Sequence, residues 1–161
     1  MDPRKCKEVS ATRDGLKEAA LWAVNSKKTI HYTQEYQRWS GIRNQVCPKV
    51  DVPPHADCSS FVTWLYWSAF GSGPDYLNDA NWTGGYTGRM ADHGKKISLS
   101  EAQPGDLVLY GTAKKLAHVA MYVGNNEVVS FGQTGPAHLL DVHYRNDFIQ
   151  VRSYPKFFGE S

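Results

Sequence analysis

Residues 58–70, CSSFVTWLYWSAF, form an almost unbroken apolar run that a folded chain has to bury. Asp57, directly before this run, is a favoured N-cap residue, and Gly71, directly after it, is typical of the end of a helix. The run therefore predicts a buried helix from about Cys58 to Phe70. Such a helix needs a second apolar layer to cover it.

The rest of the chain predicts one earlier helix and a later sheet. Residues 14–28, DGLKEAALWAVNSKK, carry apolar side chains at helical spacing. The last third contains four short β-rich runs bounded by turn residues, at 105–111, 118–124, 127–132 and 148–154. The turn GNN predicts a hairpin between the second and third runs. Helices followed by an antiparallel sheet indicate an α+β fold, and the segments 31–54 and 71–95 are predicted as loops.

Length and charge narrow the function classes. The 161 residues fit one domain, predicted to span 1–161, and the net charge is only +2, with 18 basic and 16 acidic side chains. Such a nearly equal number of basic and acidic side chains does not predict nucleic-acid binding. No apolar run approaches the roughly 18 residues of a membrane span, so we expect no membrane insertion. The N-terminus lacks the apolar core of a signal peptide, so we expect another route of delivery if the protein acts outside the cell that makes it.

The three cysteines, Cys6, Cys47 and Cys58, are an odd number, so at least one thiol is unpaired unless chains cross-link. A Cys6–Cys47 disulfide would suit an oxidising compartment. Because no export signal is visible, we expect free thiols instead. Neither Cys6 nor Cys47 belongs to a CxxC pair, so we expect no structural zinc site and no other metal.

Cys58 lies at the predicted start of the apolar helix. There the unpaired amides and the positive end of the helix dipole favour a thiolate over a thiol. The thiolate is the nucleophilic form of cysteine. On this segment alone, a small buried apolar residue is an equally good interpretation.

His118 opens the strand HVAMYVG, and alternation places it with Ala120 and Tyr122 on one face of the sheet. A helix N-terminus packed across that sheet would bring Cys58 and His118 together, with the histidine acting first as base and then as acid. A single histidine in a strand is by itself more often a surface or structural residue.

Several segments together resemble the NlpC/P60 family of cysteine peptidases. DCSSFVTWLY resembles the nucleophile motif of this family, in which Asp-Cys-Ser-Gly opens a helix. QPGDLVLYG and AHVAMYVGNNEVV resemble its Pro-Gly-Asp-Leu strand and its His-Val-Gly-Ile-Tyr-Val-Gly strand with the following hairpin. ALWAVNSKKTIHYTQ, GGYTG and GPAHLLDVHYR are similar to the peptidase domain of endolysins from phages that infect actinobacteria. The resemblance extends from about Gly15 to Tyr154.

The resemblance implies a papain-like fold and a thiol enzyme that cleaves stem peptides of peptidoglycan without a cofactor. Cys58 would correspond to the nucleophile and His118 to the general base, with the amide of Cys58 in the oxyanion hole. Tyr32 would correspond to a tyrosine that borders the site. Asp57 and Ser59 would flank the nucleophile and contact a substrate amine, although Asp57 is equally suited to a helix cap.

The residue that orients His118 departs from the family pattern. Many relatives have a histidine twelve positions after the first one, where this chain has Ser130, and phage relatives often have it one position later, where this chain has Phe131. Ser130 has the same strand parity as His118, and Gln133 would serve if the strand bulges. These two are predicted about equally, and His138 is a more distant third choice.

The sequence therefore predicts a peptidoglycan hydrolase that acts through an acyl-enzyme, cleaving a D-glutamyl-diaminopimelate type of bond. The alternatives are an N-acetylmuramoyl-L-alanine amidase, a weak or inactive wall-binding or virion structural module motivated by the altered third position, and an acyltransferase. As in endolysins, we expect the chain to stay in the host cytoplasm before it reaches the cell wall. Its expected partners are a holin, on which its release would depend, or a separate wall-binding domain.

Overall fold

A computed structural model describes residues 6–160; the ends of the predicted domain 1–161, residues 1–5 and 161, lie outside the described residues. Residues 6–160 contain four α-helices: α1 (Arg13–Ser26), α2 (Ser40–Arg43), α3 (Cys58–Phe70) and α4 (Thr87–Met90). Short 3-10 helices lie at Tyr36–Trp39, Leu99–Glu101 and Pro155–Phe158. None of the helices in this part of the chain is long and apolar enough to cross a membrane.

The described part of the chain also forms two sheets. β1 (His31–Tyr32) and β2 (His55–Ala56) form a short parallel pair. The large sheet is antiparallel and has the strand order β3-β8-β4-β5-β6-β7. Its strands are β3 (Lys95–Ile97), β4 (Leu107–Gly111), β5 (Leu116–Gly124), β6 (Glu127–Ser130), β7 (His138–Asp141) and β8 (Phe148–Ser153). Helices and an antiparallel sheet confirm the α+β prediction.

The helix α3 begins at the predicted residue because Asp57 and Ser60 cap its N-terminus reciprocally. The Asp57 carboxylate accepts the amide of Ser60 at 2.8 Å, and the Ser60 hydroxyl accepts the amide of Asp57 at 2.9 Å. This reciprocal capping box satisfies two backbone donors that a helix start leaves open. The backbone of Gly71 at the other end is right-handed helical, with φ −65°, so the helix ends without the left-handed turn that glycine often provides.

The strand β5 separates two apolar clusters, as its alternation predicts. Val119, Met121 and Val123 belong to the main core, which also contains the buried faces of α1 and α3. Ala120 and Tyr122 belong to a smaller cluster. The side chains of Ala120 and Tyr122 therefore face away from the buried sides of α1 and α3. The hairpin to β6 is confirmed, with positive φ at Asn125 and Asn126.

Several short elements were not predicted. β3 and β7 are the two edge strands of the sheet, and the segments 31–54 and 71–95 contain β1, α2 and α4 instead of loop alone. The strand β7 has four residues and no buried position, so it lacks the alternation that reveals a half-buried strand. Elements of two to four residues are stabilised by the neighbours they pair with, and their own sequence carries little signal.

The segment 71–95 is ordered around one buried carboxylate. Asp75 accepts backbone N–H groups from four residues of its own loop: Leu77, Asn78, Ala80 and Trp82. Charge-assisted bonds of this kind are stronger than neutral ones. They hold the chain that leads from α3 to α4, and α4 contributes to the site described below.

The prediction of three free thiols is wrong, because Cys6 and Cys47 form a disulfide with their Cα atoms 5.3 Å apart. The two cysteines are 41 positions apart in sequence, so their proximity depends on the tertiary fold. The expectation rested on compartment rather than on geometry. Cys58 is the free cysteine.

Candidate active site

The thiol of Cys58 is held against the strand β5. The residue is the first of α3, and the backbone amides of Val119 and Ser59 lie close enough to its sulfur to lower the pKa of the thiol. The hydroxyl of Thr87, the first residue of α4, lies 3.9 Å from the same sulfur. Because Val119 directly follows His118, the contact with β5 brings the thiol next to the histidine. Both side chains line one cavity of about 310 Å³.

The imidazole of His118 is hydrogen-bonded to Ser130. His118 is 4% exposed, and its Nε2 lies 2.8 Å from the Ser130 Oγ. This hydrogen bond leaves Nδ1 as the ring nitrogen for exchange of a proton with Cys58. The parity argument for Ser130 is thus matched by a direct contact between the two side chains.

The other two choices for the orienting residue line the same cavity in different positions. Gln133 is exposed in the loop that follows β6, and His138 is exposed on β7, paired with Ser130 across the ladder. The hydrogen bond at His118 Nε2 goes to Ser130 rather than to either of them. Phe131 is buried and packs on Phe61, with ring centroids 5.8 Å apart, so its position faces the core.

Asp57 and Ser59 flank Cys58 but face each other. The Ser59 hydroxyl donates to the Asp57 carboxylate at 3.1 Å. Ser59 is 2% exposed and Asp57 is 8% exposed. Arg38, which the sequence did not single out, lies 3.8 Å from the same carboxylate. These contacts stabilise the start of α3, and the predicted contact with a substrate amine stays a prediction.

Tyr32 borders the cavity from β1. Its side chain lines the cavity, 36% of the residue is exposed, and its hydroxyl accepts a hydrogen bond from Gln34 at 3.1 Å. Burial, together with the nearby charge of an ionised Cys58, raises the pKa of Tyr32. The phenol is therefore protonated at neutral pH and able to donate.

The protonation of the pair differs from the expectation for a helix N-terminus. Burial raises the pKa of the Cys58 thiol, and the charge of Asp57 raises it further, while the amides of Val119 and Ser59 and the Thr87 hydroxyl only partly offset this. Burial, helped by the cationic Arg145, lowers the pKa of His118 to about 4. At neutral pH the site therefore holds a thiol and a neutral imidazole. Desolvation outweighs the polar groups around the sulfur because burial penalises the charged form of both Cys58 and His118.

Besides Arg38, three contributors to the site were missed as individual residues. Thr87 contacts the Cys58 sulfur, the hydroxyl of Tyr144 lies 3.0 Å from the Ser130 Oγ, and Arg145 lines the cavity. All three belong to segments noted for their resemblance, GGYTG and GPAHLLDVHYR. The resemblance of those two segments was therefore the sequence evidence for these residues, although no chemical motif indicated single positions within them.

Comparison with known proteins agrees with this arrangement. The model of the NlpC/P60 family matches residues 33–136, a stretch that includes Cys58, His118 and Ser130. The chain belongs to the NlpC/P60 family. Membership confirms the family predicted from the motifs, and the match covers α3, β5 and β6, the elements that carry Cys58, His118 and Ser130.

Curated relatives of this NlpC/P60 chain are considerably longer proteins. The peptidoglycan DL-endopeptidase CwlO of Bacillus licheniformis is 37% identical over 104 residues, which is 64% of this chain and 20% of CwlO. The murein DD-endopeptidase MepS/murein LD-carboxypeptidase of Escherichia coli K12 is 30% identical over 95 residues, 59% of this chain and 45% of the relative. The chain thus spans less than half the length of both.

Solved NlpC/P60 structures have the same fold. The NlpC/p60 domain of the peptidoglycan hydrolase SagA superposes with a TM-score of 0.57 at 23% identity, covering 85% of this chain and 97% of that domain. NlpC2 from Trichomonas vaginalis gives a TM-score of 0.59 at 20% identity, covering 96% of this chain and 50% of the other. At these identities the likeness shows the fold alone, and it confirms the fold predicted from the resemblance.

Proposed function

We propose that this chain is a cysteine peptidase that hydrolyses an amide bond in the stem peptides of peptidoglycan. The observation that carries the proposal is the position of the Cys58 sulfur, which shares one cavity with the imidazole of His118, itself buried and hydrogen-bonded to Ser130. A purely structural helix start needs no free thiol beside an imidazole in an open cavity. Relatives named as peptidoglycan and murein endopeptidases support the substrate class.

The chemistry follows from the neutral pair. The Cys58 sulfur attacks the scissile carbonyl carbon while its proton passes to Nδ1 of His118, and the carbonyl π electrons move to oxygen. The amide of Cys58, at the first position of α3, has no acceptor within the helix and donates to that oxyanion. Collapse of the intermediate expels the amine, which takes the proton from His118 and leaves an acyl-enzyme. Water, deprotonated by His118, then releases the acid and restores the thiol.

We place the cleaved bond at a D-glutamyl-diaminopimelate type of linkage, as the motif resemblance implies. The name of CwlO, a DL-endopeptidase, supports this choice. MepS is named as a DD-endopeptidase and LD-carboxypeptidase, so the cleaved bond has to be identified from the reaction products. We further propose an origin as a phage endolysin that leaves the host cytoplasm with holin help or with a wall-binding domain. The Cys6–Cys47 disulfide supports a working place outside the reducing cytoplasm.

The experiment is digestion of purified meso-diaminopimelate peptidoglycan by the wild type and by Cys58→Ala, followed by mass spectrometry of the soluble fragments. Fragments from the wild type alone, with a new diaminopimelate amino terminus, would support the proposal. A free L-alanine amino terminus on an intact stem peptide would indicate an amidase. If neither protein released fragments but both sedimented equally with the wall, the enzyme proposal would be wrong and a binding module would replace it.

A further inference from the structure

We infer that Tyr144 is a positioning residue for His118 and acts through Ser130, so that two hydroxyls in series replace the single orienting side chain. The part of this inference that is tested by enzyme activity rests on the proposed function. The contacts themselves do not, because they involve only His118, Ser130 and Tyr144. Tyr144 belongs to the segment GPAHLLDVHYR, whose role the proposed chemistry leaves open.

The three polar atoms form a continuous chain. His118 Nε2 lies 2.8 Å from the Ser130 Oγ, which in turn lies 3.0 Å from the Tyr144 hydroxyl. Ser130 is 5% exposed, so water has little access to its hydroxyl. The ring of Tyr144 packs edge-on against Tyr110, with centroids 5.6 Å apart, and edge-on towards His118 at 6.4 Å.

The backbone around Tyr144 is fixed although it lies in the turn between β7 and β8. The amide of Tyr144 donates to the Asp141 carbonyl at 2.9 Å, and the amide of Val142 donates to Asn126 at 2.7 Å. The Tyr110 hydroxyl donates to the Val142 carbonyl at 2.8 Å. These bonds connect the turn that carries Tyr144 to the β5–β6 hairpin and to β4.

The second hydroxyl matters because serine alone does not define a tautomer. For Nδ1 to accept the proton of Cys58, the neutral ring of His118 must carry its own proton on Nε2 and donate it to Ser130. A serine hydroxyl rotates freely and can also donate to Nε2, which would put the ring proton on Nδ1 and block the base. When the Ser130 hydroxyl donates to Tyr144, its hydrogen is engaged, and its oxygen faces His118 only as an acceptor.

A double-mutant cycle tests this arrangement with Ser130→Ala, Tyr144→Phe and the double variant. Tyr122→Phe is the matched control, because it also removes a phenol hydroxyl, one that accepts the Asn126 amide within the hairpin. We expect Tyr144→Phe to lower kcat on stem peptides about three- to tenfold, with KM and Tm close to those of the control. In the Ser130→Ala background the same change should have no further effect.

A second readout requires no substrate. The ¹⁵N shifts of the His118 ring, assigned with His118→Gln, should report the Nε2–H tautomer in the wild type and in Tyr122→Phe. In Tyr144→Phe they should report a mixture of the two tautomers. Wild-type tautomer and kcat in Tyr144→Phe, or losses that multiply in the double variant, would overturn the inference.

The two readouts separate this inference from the proposed function. If the wild type cleaves no peptidoglycan but the tautomer still changes in Tyr144→Phe, the proposed function fails and the positioning role is supported. If the wild type cleaves and neither kcat nor the tautomer responds to Tyr144→Phe, the positioning role fails and the proposed function is unaffected.

Discussion

The backbone amide of Val119 lies beside the sulfur of Cys58 and favours its ionised form. This contact joins the first residue of α3 to the middle of the sheet and defines the distance between two segments sixty positions apart. Because the amide belongs to the residue after His118, the helix cannot move along β5 without separating thiol and imidazole. The site is therefore a property of the packing of α3 on β5.

The ionisation of His118 should make stability depend on pH. Its pKa is lowered from 6.5 to about 4 in the folded protein, so the unfolded state binds the proton first as the pH falls. Stability is fully present above about pH 6.5 and is lost progressively down to about pH 4, by up to about 3 kcal/mol. Urea unfolding at several pH values should show this loss in the wild type, and His118→Gln should lack it. Equal pH slopes for the two proteins would contradict the buried neutral state.

The thiol of Cys58 should react slowly at neutral pH. Burial and the charge of Asp57 raise its pKa, so the rate of alkylation by iodoacetamide should keep rising above pH 9. Asp57→Asn keeps a good N-cap and removes the charge, and it should move the midpoint of the rate profile to lower pH. Mass spectrometry of the labelled peptide measures both profiles. A wild-type midpoint below pH 7 would show that the helix dipole outweighs burial.

The Cys6–Cys47 disulfide should contribute substantially to stability. Its 41-residue separation corresponds to about 4 kcal/mol in the chain-entropy description of cross-links. The double variant Cys6→Ser/Cys47→Ser, made together with Cys58→Ala to prevent thiol exchange, should lose an amount of this order in urea unfolding. Cys58→Ala alone is the control. Equal unfolding free energies for the two proteins would show that the bond adds no stability.

The carboxylate of Asp75 should control the order of the segment 71–95. Asp75→Asn removes the charge and replaces one acceptor oxygen by a donor, so at least one buried backbone N–H loses its partner, at a cost of about 1–3 kcal/mol. Amide hydrogen exchange should accelerate from Leu77 to Trp82, and Asp79→Asn, at an exposed position, is the control. Unchanged protection in Asp75→Asn would assign the order of the loop to its apolar contacts.

The sequence by itself determined the features that arise from neighbouring residues. The capped helix from Cys58 to Phe70, the alternation of β5 and the hairpin at Asn125–Asn126 follow from local periodicity, capping and turn chemistry. These features, combined with the recognised motifs, single out Cys58 and His118 as candidates and include Ser130 among the candidate orienting residues.

Only the tertiary structure decided the features that depend on distant segments. The choice of Ser130 over Gln133, the contact of Tyr144 with Ser130, and the Cys6–Cys47 bond depend on which side chains the packed sheet brings within a few ångströms. The protonation of the pair is of the same kind. A helix start favours the thiolate in isolation, but the burial that reverses this preference exists only once α3 has packed on β5.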